Sequence, residues 1–101
     1  CARLVVIGGE KASADSVARW HHACARHPCQ LLNTYGPTEA TVYATATLLE
    51  PACRATGEPS IGRPIANTQV HVLDAWQQVQ PLGVVGEIHI GGAGVARGTA
   101  R

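Results

Sequence analysis

Several residue types are missing or scarce in this 101-residue chain, which has no Met, no Phe and only two Trp and two Tyr. Charged residues make up 15% of the sequence, against about 25% in an average soluble domain. So few charges cannot cover a free-standing surface. Because an initiator Met is absent and neither end carries a cap, we expect a segment of a longer protein whose remainder covers part of this surface.

A basic stripe is also missing, since the eight basic residues are scattered and the net charge is +1. This composition argues against nucleic acid as a partner. No apolar run approaches the roughly 18 residues of a membrane span, and no signal-like segment opens the chain. We therefore expect a cytoplasmic protein without a membrane partner, and reduced thiols at its four cysteines.

The first half of the chain has the pattern of a strand-helix-strand unit. Leu4 to Ile7 is a short apolar run that ends in Gly8-Gly9, which is typical of a buried strand entering a loop. Ser13 is the expected helix N-cap, and we expect the helix to continue until Pro28. Residues 30–33 form the next predicted strand. This order favours a parallel pair with functional groups at the carboxyl ends of the strands.

The second half has a β-rich pattern. Thr41 to Leu49 suits a strand, although a helical first turn is also possible. Glu50 to Pro64 is rich in Pro, Gly and Ser and predicts a loop. Thr68 to Asp74 and Val84 to Ile90 predict an antiparallel hairpin. The expected fold class is α/β, a parallel unit followed by an antiparallel β-rich portion.

The segment from Asn33 to Glu39 contains the side chains best suited to binding a ligand. It presents an amide, a phenol ring, a hydroxyl and a carboxylate around a stiff Gly-Pro turn. An aromatic face can stack on a base, and a carboxylate can hold Mg²⁺ against phosphates. On the residues alone, a nucleotide site and a simple Gly-Pro turn with a helix cap are equally good interpretations.

Four ordered motifs nevertheless resemble one family. Asn-x-Tyr-Gly-Pro-Thr-Glu at 33–39 is similar to the core signature of the adenylate-forming enzymes, in particular the amino-acid adenylation domains of nonribosomal peptide synthetases. Val6 to Glu10 resembles the family's strand and glycine loop beside adenine. Ile61 to Asp74 resembles its connection into a β-subdomain, and Gly86 to Gly98 its next core motif.

The resemblance implies that residues 1–101 are part of an adenylation (AMP-binding) domain, within its large N-terminal subdomain. Residues 1–49 are the implied α/β part with the nucleotide loop, 50–67 a connecting loop and 68–101 a β-rich part. One departure lies at the end, where Thr99-Ala100-Arg101 stands in place of the family's aromatic residue.

The same resemblance implies roles for individual residues. Tyr35 stacks on adenine and Asn33 bonds the edge of the base. Thr38 contacts the α-phosphate, and Glu39 is a Mg²⁺ ligand, so these two are the implied catalytic residues. The implied set that binds ATP or AMP is Gly8, Gly9, Glu10, Asn33, Thr34, Tyr35, Gly36 and Thr38. The implied amino-acid pocket is Val6, Gly8, Thr34, Val42 and Tyr43.

In such enzymes an amino acid and ATP give an aminoacyl-adenylate, which passes to a phosphopantetheine thiol on a carrier domain. Carrier-protein and condensation domains of the parent synthetase are therefore the implied partners. The family's phosphate loop and amino-group Asp lie upstream, and its ribose-binding Asp and catalytic Lys downstream. We thus expect the isolated 101 residues to be inactive and to fold poorly, because a partial sheet has unpaired edges.

Two alternatives stay open: a fragment of an acyl-CoA or aryl-acid ligase of the same superfamily, and a non-catalytic nucleotide-binding or interaction module. Weaker signals favour structural roles. The His and Cys residues between His21 and Cys29 lack the paired spacing of a zinc site. Gly91 to Gly94 lacks the Gly-Lys-Ser/Thr ending of a phosphate loop and predicts a tight turn.

Overall fold

The computed structural model describes residues 2–51 and 57–97, which form a four-stranded mixed sheet, a helix packed on it and a two-stranded ribbon. The α/β class predicted from the sequence is confirmed. The departure at 99–101 lies outside the described residues. In chain order the elements are β1 (Leu4–Ile7), α1 (Ala14–Ala23), β2 (Gln30–Tyr35), a 3₁₀ turn (Thr38–Ala40), β3 (Thr45–Leu48), β4 (Arg63–Pro64), β5 (Thr68–Leu73) and β6 (Glu87–Gly92).

The parallel pair predicted at the start of the chain is present. β1 and β2 run in the same direction, with Ile7 opposite Asn33 at the last paired position. Both strands therefore end at the same edge of the sheet, where α/β proteins bind their ligands. β2 is longer than the predicted 30–33, because it continues through Thr34 and Tyr35 by pairing with β3.

Helix α1 begins as predicted but ends earlier. The Ser13 hydroxyl oxygen accepts a hydrogen bond from the Ser16 backbone N–H at 3.1 Å, which confirms the N-cap. The prediction that the helix continues to Pro28 is wrong, since it ends at Ala23. Turns follow, in which the His27 N–H donates to the Cys24 carbonyl at 3.1 Å. A proline disfavours helical backbone at the residue before it, so the chain leaves the helix in advance.

The core lies between α1 and one face of the sheet. Val17, Leu31 and Leu49 are buried there, with Val5, Ile7, Ala12 and Trp20 packed around them. Because side chains alternate along a strand, the opposite face carries Leu4, Val6 and, across the sheet, Leu48. These three side chains are between 42% and 48% exposed. Within the described residues, α1 covers one face of the sheet and the other face is exposed.

The segment after the 3₁₀ turn corrects the predicted strand over 41–49. Only Thr45–Leu48 is strand, antiparallel to β2. Thr41 and Val42 have φ angles of 54° and 75°, in the left-handed region that β-branched residues avoid. The chain reverses direction here, which is why these two residues cannot join the strand. The short strand β4 then pairs with β3 from within the predicted connecting loop.

The predicted hairpin is present as β5 and β6, paired from Thr68 opposite Gly92 to Leu73 opposite Glu87. The second strand lies at 87–92 rather than 84–90, so Gly91 and Gly92 belong to the strand and the predicted tight turn is shorter. The Asp74 carboxylate accepts from the backbone N–H of Trp76 and Gln78 and starts the intervening loop. No helix in the described part of the chain has the length and apolar character needed to cross a membrane.

Candidate functional site

A cavity of about 430 Å³ lies at the edge of the sheet where β1 and β2 end. The loop after β1 forms one wall, the end of β2 and its Gly-Pro turn form the floor, and the segment before β4 forms a third wall. The lining residues are Gly9, Glu10, Lys11, Ala12, Asn33, Thr34, Tyr35, Gly36, Pro37, Pro59 and Ile61. The fold thus brings together residues from three of the four motifs on which the resemblance rests, since Ile61 begins the motif at 61–74.

Asn33 is 5% exposed, and its side chain links the floor of the cavity to the segment before β4. Its Nδ2 donates a hydrogen bond to the Ser60 carbonyl at 2.8 Å. Because a carbonyl oxygen can only accept, this bond fixes which end of the amide faces Ser60. Among residues 2–51 and 57–97 the Oδ1 acceptor and the second N–H have no other partner, so both can meet a ligand. The residue predicted to bond the base edge therefore also ties β2 to the third wall.

Thr34 and Gly8 meet where the two parallel strands end. The Thr34 hydroxyl donates to the Ile7 carbonyl at 2.9 Å, so its proton is already used inside the protein. A Cβ added at Gly8 would lie far inside contact distance of that hydroxyl oxygen and 3.0 Å from the Thr34 carbonyl oxygen. Only glycine fits beside Thr34 at this position.

Tyr35 and Gly36 form the floor of the cavity. Tyr35 lies at the end of β2 with 37% of its surface exposed, and strand alternation puts it on the same face as Asn33. Its carbonyl accepts from the Ala44 N–H at 2.7 Å. A Cβ at Gly36 would lie 2.7 Å from the Ala44 nitrogen, 2.8 Å from the Val42 carbonyl oxygen and 2.9 Å from the Tyr43 carbonyl carbon. These are backbone atoms and cannot move aside as a side-chain tip can.

Gly36→Ala is therefore expected to lower the free energy of unfolding by about 2 kcal/mol, the usual scale for overpacking a tight site. Chemical denaturation of the domain that contains this chain measures the change. Gly91→Ala is the matched control, because the nearest atom to a Cβ there is the Gln69 side-chain oxygen at 4.0 Å. Equal stability of the two variants would contradict the close approach at Gly36.

Thr38 and Glu39 lie outside the cavity, in the exposed 3₁₀ turn that directly follows its floor. The turn is fixed from the far end of the chain. The Ala96 N–H donates to the Glu39 carbonyl at 2.7 Å, and the Thr41 hydroxyl donates to the Gly94 carbonyl. Sequence reasoning did not connect these residues; the only signal was that Gly86 to Gly98 resembles a separate family motif.

The residues implied for the amino-acid pocket divide into two groups. Val6, Gly8 and Thr34 alternate onto one face of the β1–β2 pair, the face opposite α1. Val42 and Tyr43 follow the 3₁₀ turn and are 59% and 44% exposed. Apart from Thr34, none of these residues lines the cavity beside Asn33 and Tyr35. Val6 therefore lies on the other face of the strand pair, away from the cavity.

Glu39 suits a magnesium ion by the chemistry of its donor. Its carboxylate is exposed and makes no hydrogen bond or ion pair with another residue in the ranges 2–51 and 57–97. Mg²⁺ takes one or two carboxylates together with phosphate oxygens and water, so a single free carboxylate is a sufficient protein contribution. Within the described ranges no three His, Cys, Asp or Glu side chains come together as a metal cluster, and Cys24 and Cys29 are free thiols.

A model of the AMP-binding enzyme family matches residues 2–99. The chain therefore belongs to the AMP-binding enzyme family, and the resemblance inferred from its motifs is confirmed. It is 55% identical over 97 residues to a linear gramicidin synthase chain of Brevibacillus parabrevis, a match that covers 95% of this chain and 1% of that protein. It is 53% identical over 70 residues to the dimodular nonribosomal peptide synthase of Bacillus subtilis (strain 168), covering 69% and 3%.

The fold is also similar to that of a solved protein with an adenylation domain. The solved structure of PA1221, described as an NRPS protein containing adenylation and PCP domains, matches with a TM-score of 0.81 and 35% identity. That match covers 95% of this chain and 19% of the other. The chain thus spans only a small part of the curated relatives and solved structures that it resembles.

Proposed function

We propose that this chain is the adenine-binding part of an amino-acid adenylation domain of a nonribosomal peptide synthetase, which joins an amino acid to AMP at the expense of ATP. The observation that carries the proposal is the 430 Å³ cavity, because Gly9-Glu10 and Asn33 to Gly36 line it together. The relatives, which include a linear gramicidin synthase and a dimodular nonribosomal peptide synthase, support the branch of the family.

The cavity offers the contacts that adenine needs. Tyr35 contributes an aromatic ring to the floor, and Gly9 and Glu10 line the wall that follows β1. With one N–H of Asn33 bonded to Ser60, its Oδ1 is free to accept a hydrogen bond from an exocyclic amino group. Adenine carries such a group next to a ring nitrogen that can accept from the second Asn33 N–H. We therefore propose adenine as the base.

The phosphates would extend from this cavity toward the 3₁₀ turn, where Thr38 offers a hydroxyl and Glu39 a carboxylate. Magnesium, when bound, supplies positive charge against the phosphates. In the proposed reaction a carboxylate oxygen of the amino acid forms a bond to the α-phosphorus. The bond from that phosphorus to the leaving oxygen breaks, and pyrophosphate departs with the electron pair. The residues of this chain hold and orient the groups.

The amino-acid side chain would occupy the other face of the strand pair, beside Val6, Gly8, Thr34, Val42 and Tyr43. Since the Thr34 proton is committed to Ile7, the hydroxyl can offer only lone pairs to a substrate. The proposal further includes transfer to a phosphopantetheine thiol on a carrier domain, with a condensation domain acting later. A cytoplasmic location remains a prediction.

The test is amino-acid-dependent exchange of labelled pyrophosphate into ATP by the adenylation domain that contains this chain, with the isolated 101 residues beside it. We expect exchange with at least one proteinogenic or modified amino acid and none from the isolated chain. Exchange with aryl or fatty acids alone would favour the ligase alternative. Nucleotide binding without exchange on any acid would favour a non-catalytic module.

A further inference from the structure

The third wall of the cavity is a loop of which only the last residue, Ile61, belongs to a motif of the resemblance. We call residues 57–61 the loop wall. Pro59 and Ile61 line the cavity, and the Ser60 carbonyl accepts the bond from Asn33. The buried Thr45 hydroxyl donates to the Ile61 carbonyl at 2.6 Å. These two bonds fix the carboxyl half of the loop wall to the sheet.

The amino half of the loop wall is held differently. Glu58 directly precedes Pro59, which lines the cavity, and its Oε1 is 2.6 Å from the Nζ of Lys11 in the loop after β1. Lys11 itself lines the cavity. The two residues are 47 positions apart in sequence and belong to opposite walls. This ion pair therefore bridges the two sides of the cavity.

The pair is exposed, with 73% of the Lys11 side chain and 74% of the Glu58 side chain accessible. Exposed ion pairs contribute little to the stability of a fold, and ions in solution screen them. A weak contact between two loops can still matter for a ligand that must fit between them. Its effect is then expected in ligand binding rather than in the melting temperature.

We propose that Lys11 and Glu58 are positioning residues that close the loop wall over the adenine and so make nucleotide affinity dependent on their opposite charges. The inference rests on the proposed function of the cavity. In this proposal both residues act through the distance between the two walls. The affinity of the cavity for its ligand should accordingly fall as ionic strength rises, even when that ligand is an uncharged nucleoside.

Adenosine is the probe that isolates this effect, because it has no phosphate to be attracted or repelled by the altered charges. Equilibrium titration of the adenylation domain would use wild type, Lys11→Glu, Glu58→Lys and the double reversal. Each single reversal is expected to weaken adenosine binding about two- to fivefold, the range of exposed ion pairs. The double reversal restores the pair and should return affinity to within about twofold of wild type.

Two matched controls carry the same charge changes elsewhere. The controls are Arg26→Glu and Glu87→Lys. Arg26 lies in the exposed turn after α1, and Glu87 is exposed on the ribbon. Both should leave adenosine affinity unchanged. Raising salt from about 0.05 M to about 0.5 M should weaken adenosine binding to wild type and to the double reversal, and leave Lys11→Ala unaffected. Circular dichroism confirms that each variant is folded.

Different results would reject the role of the ion pair and the adenine site itself. Adenosine binding by wild type with unaltered affinity in the single reversals would overturn the role of Lys11 and Glu58 and leave the adenine site standing. A double reversal no better than the single variants would overturn it equally. Failure of wild type to bind either adenosine or AMP would reject the proposed function, and this inference with it.

Discussion

Glu39→Gln in the adenylation domain that contains this chain is expected to lower ATP–pyrophosphate exchange by about a hundredfold or more, the scale for losing one electrostatic group at a reacting phosphate. Glutamine keeps the shape of the side chain and removes its negative charge. The Glu39 backbone carbonyl still accepts from Ala96, so the turn itself is preserved. The loss should therefore fall on catalysis and on magnesium use rather than on folding.

Exchange assays over a range of magnesium concentrations measure both effects. The variant should need more Mg²⁺ for half-maximal rate, because a neutral amide is a poorer ligand than a carboxylate. Glu50→Gln is the control, an exposed carboxylate outside the cavity that should leave the rate unchanged. An exchange rate within about twofold of wild type in Glu39→Gln would remove Glu39 from the site.

Tyr35→Ala is expected to raise the dissociation constant for AMP about 5- to 150-fold, because stacking of a base on an aromatic side chain is worth about 1–3 kcal/mol. The side chain is 37% exposed at the end of β2, so its removal opens no large hole in the core. The backbone bond from Ala44 to the Tyr35 carbonyl also stays. Isothermal titration with AMP measures the change.

Tyr35→Phe separates the ring from its hydroxyl. Stacking needs only the ring, so the phenylalanine variant should bind AMP within about twofold of wild type. Trp76→Ala offers a second comparison, since that aromatic residue is 79% exposed and lies in the loop of the ribbon, away from the cavity. If alanine at 35 and alanine at 76 had equal effects on AMP affinity, Tyr35 would not be the stacking residue.

The local features of the fold could be predicted from the sequence because they depend on near neighbours. The apolar run at Leu4 to Ile7, the Ser13 cap and the alternating segments of the ribbon all indicated the right element type. The end of α1 was placed too late because Pro28 marks where a helix cannot continue, not where it stops. The strand after Glu39 was predicted too long because propensity does not reveal the left-handed turn at Thr41 and Val42.

The contacts that shape the site join distant parts of the chain, which is why no sequence pattern predicted them. Asn33 reaches Ser60 across 27 positions, and the Thr41 hydroxyl reaches Gly94 across 53. Motif resemblance identified the residues at the carboxyl ends of β1 and β2, and parallel pairing explains why they meet. It did not indicate that Thr34 already donates its proton to Ile7, nor that residues of the loop wall line the cavity.

We propose that adenine binds between Tyr35 and the Gly9-Glu10 segment. The most direct test is a crystal structure of the adenylation domain with AMP and Mg²⁺. We predict the adenine ring within about 4 Å of the Tyr35 ring, at van der Waals contact, with its amino group on Asn33 Oδ1. An AMP molecule whose base lies outside this cavity, with Tyr35 uncovered, would contradict the account.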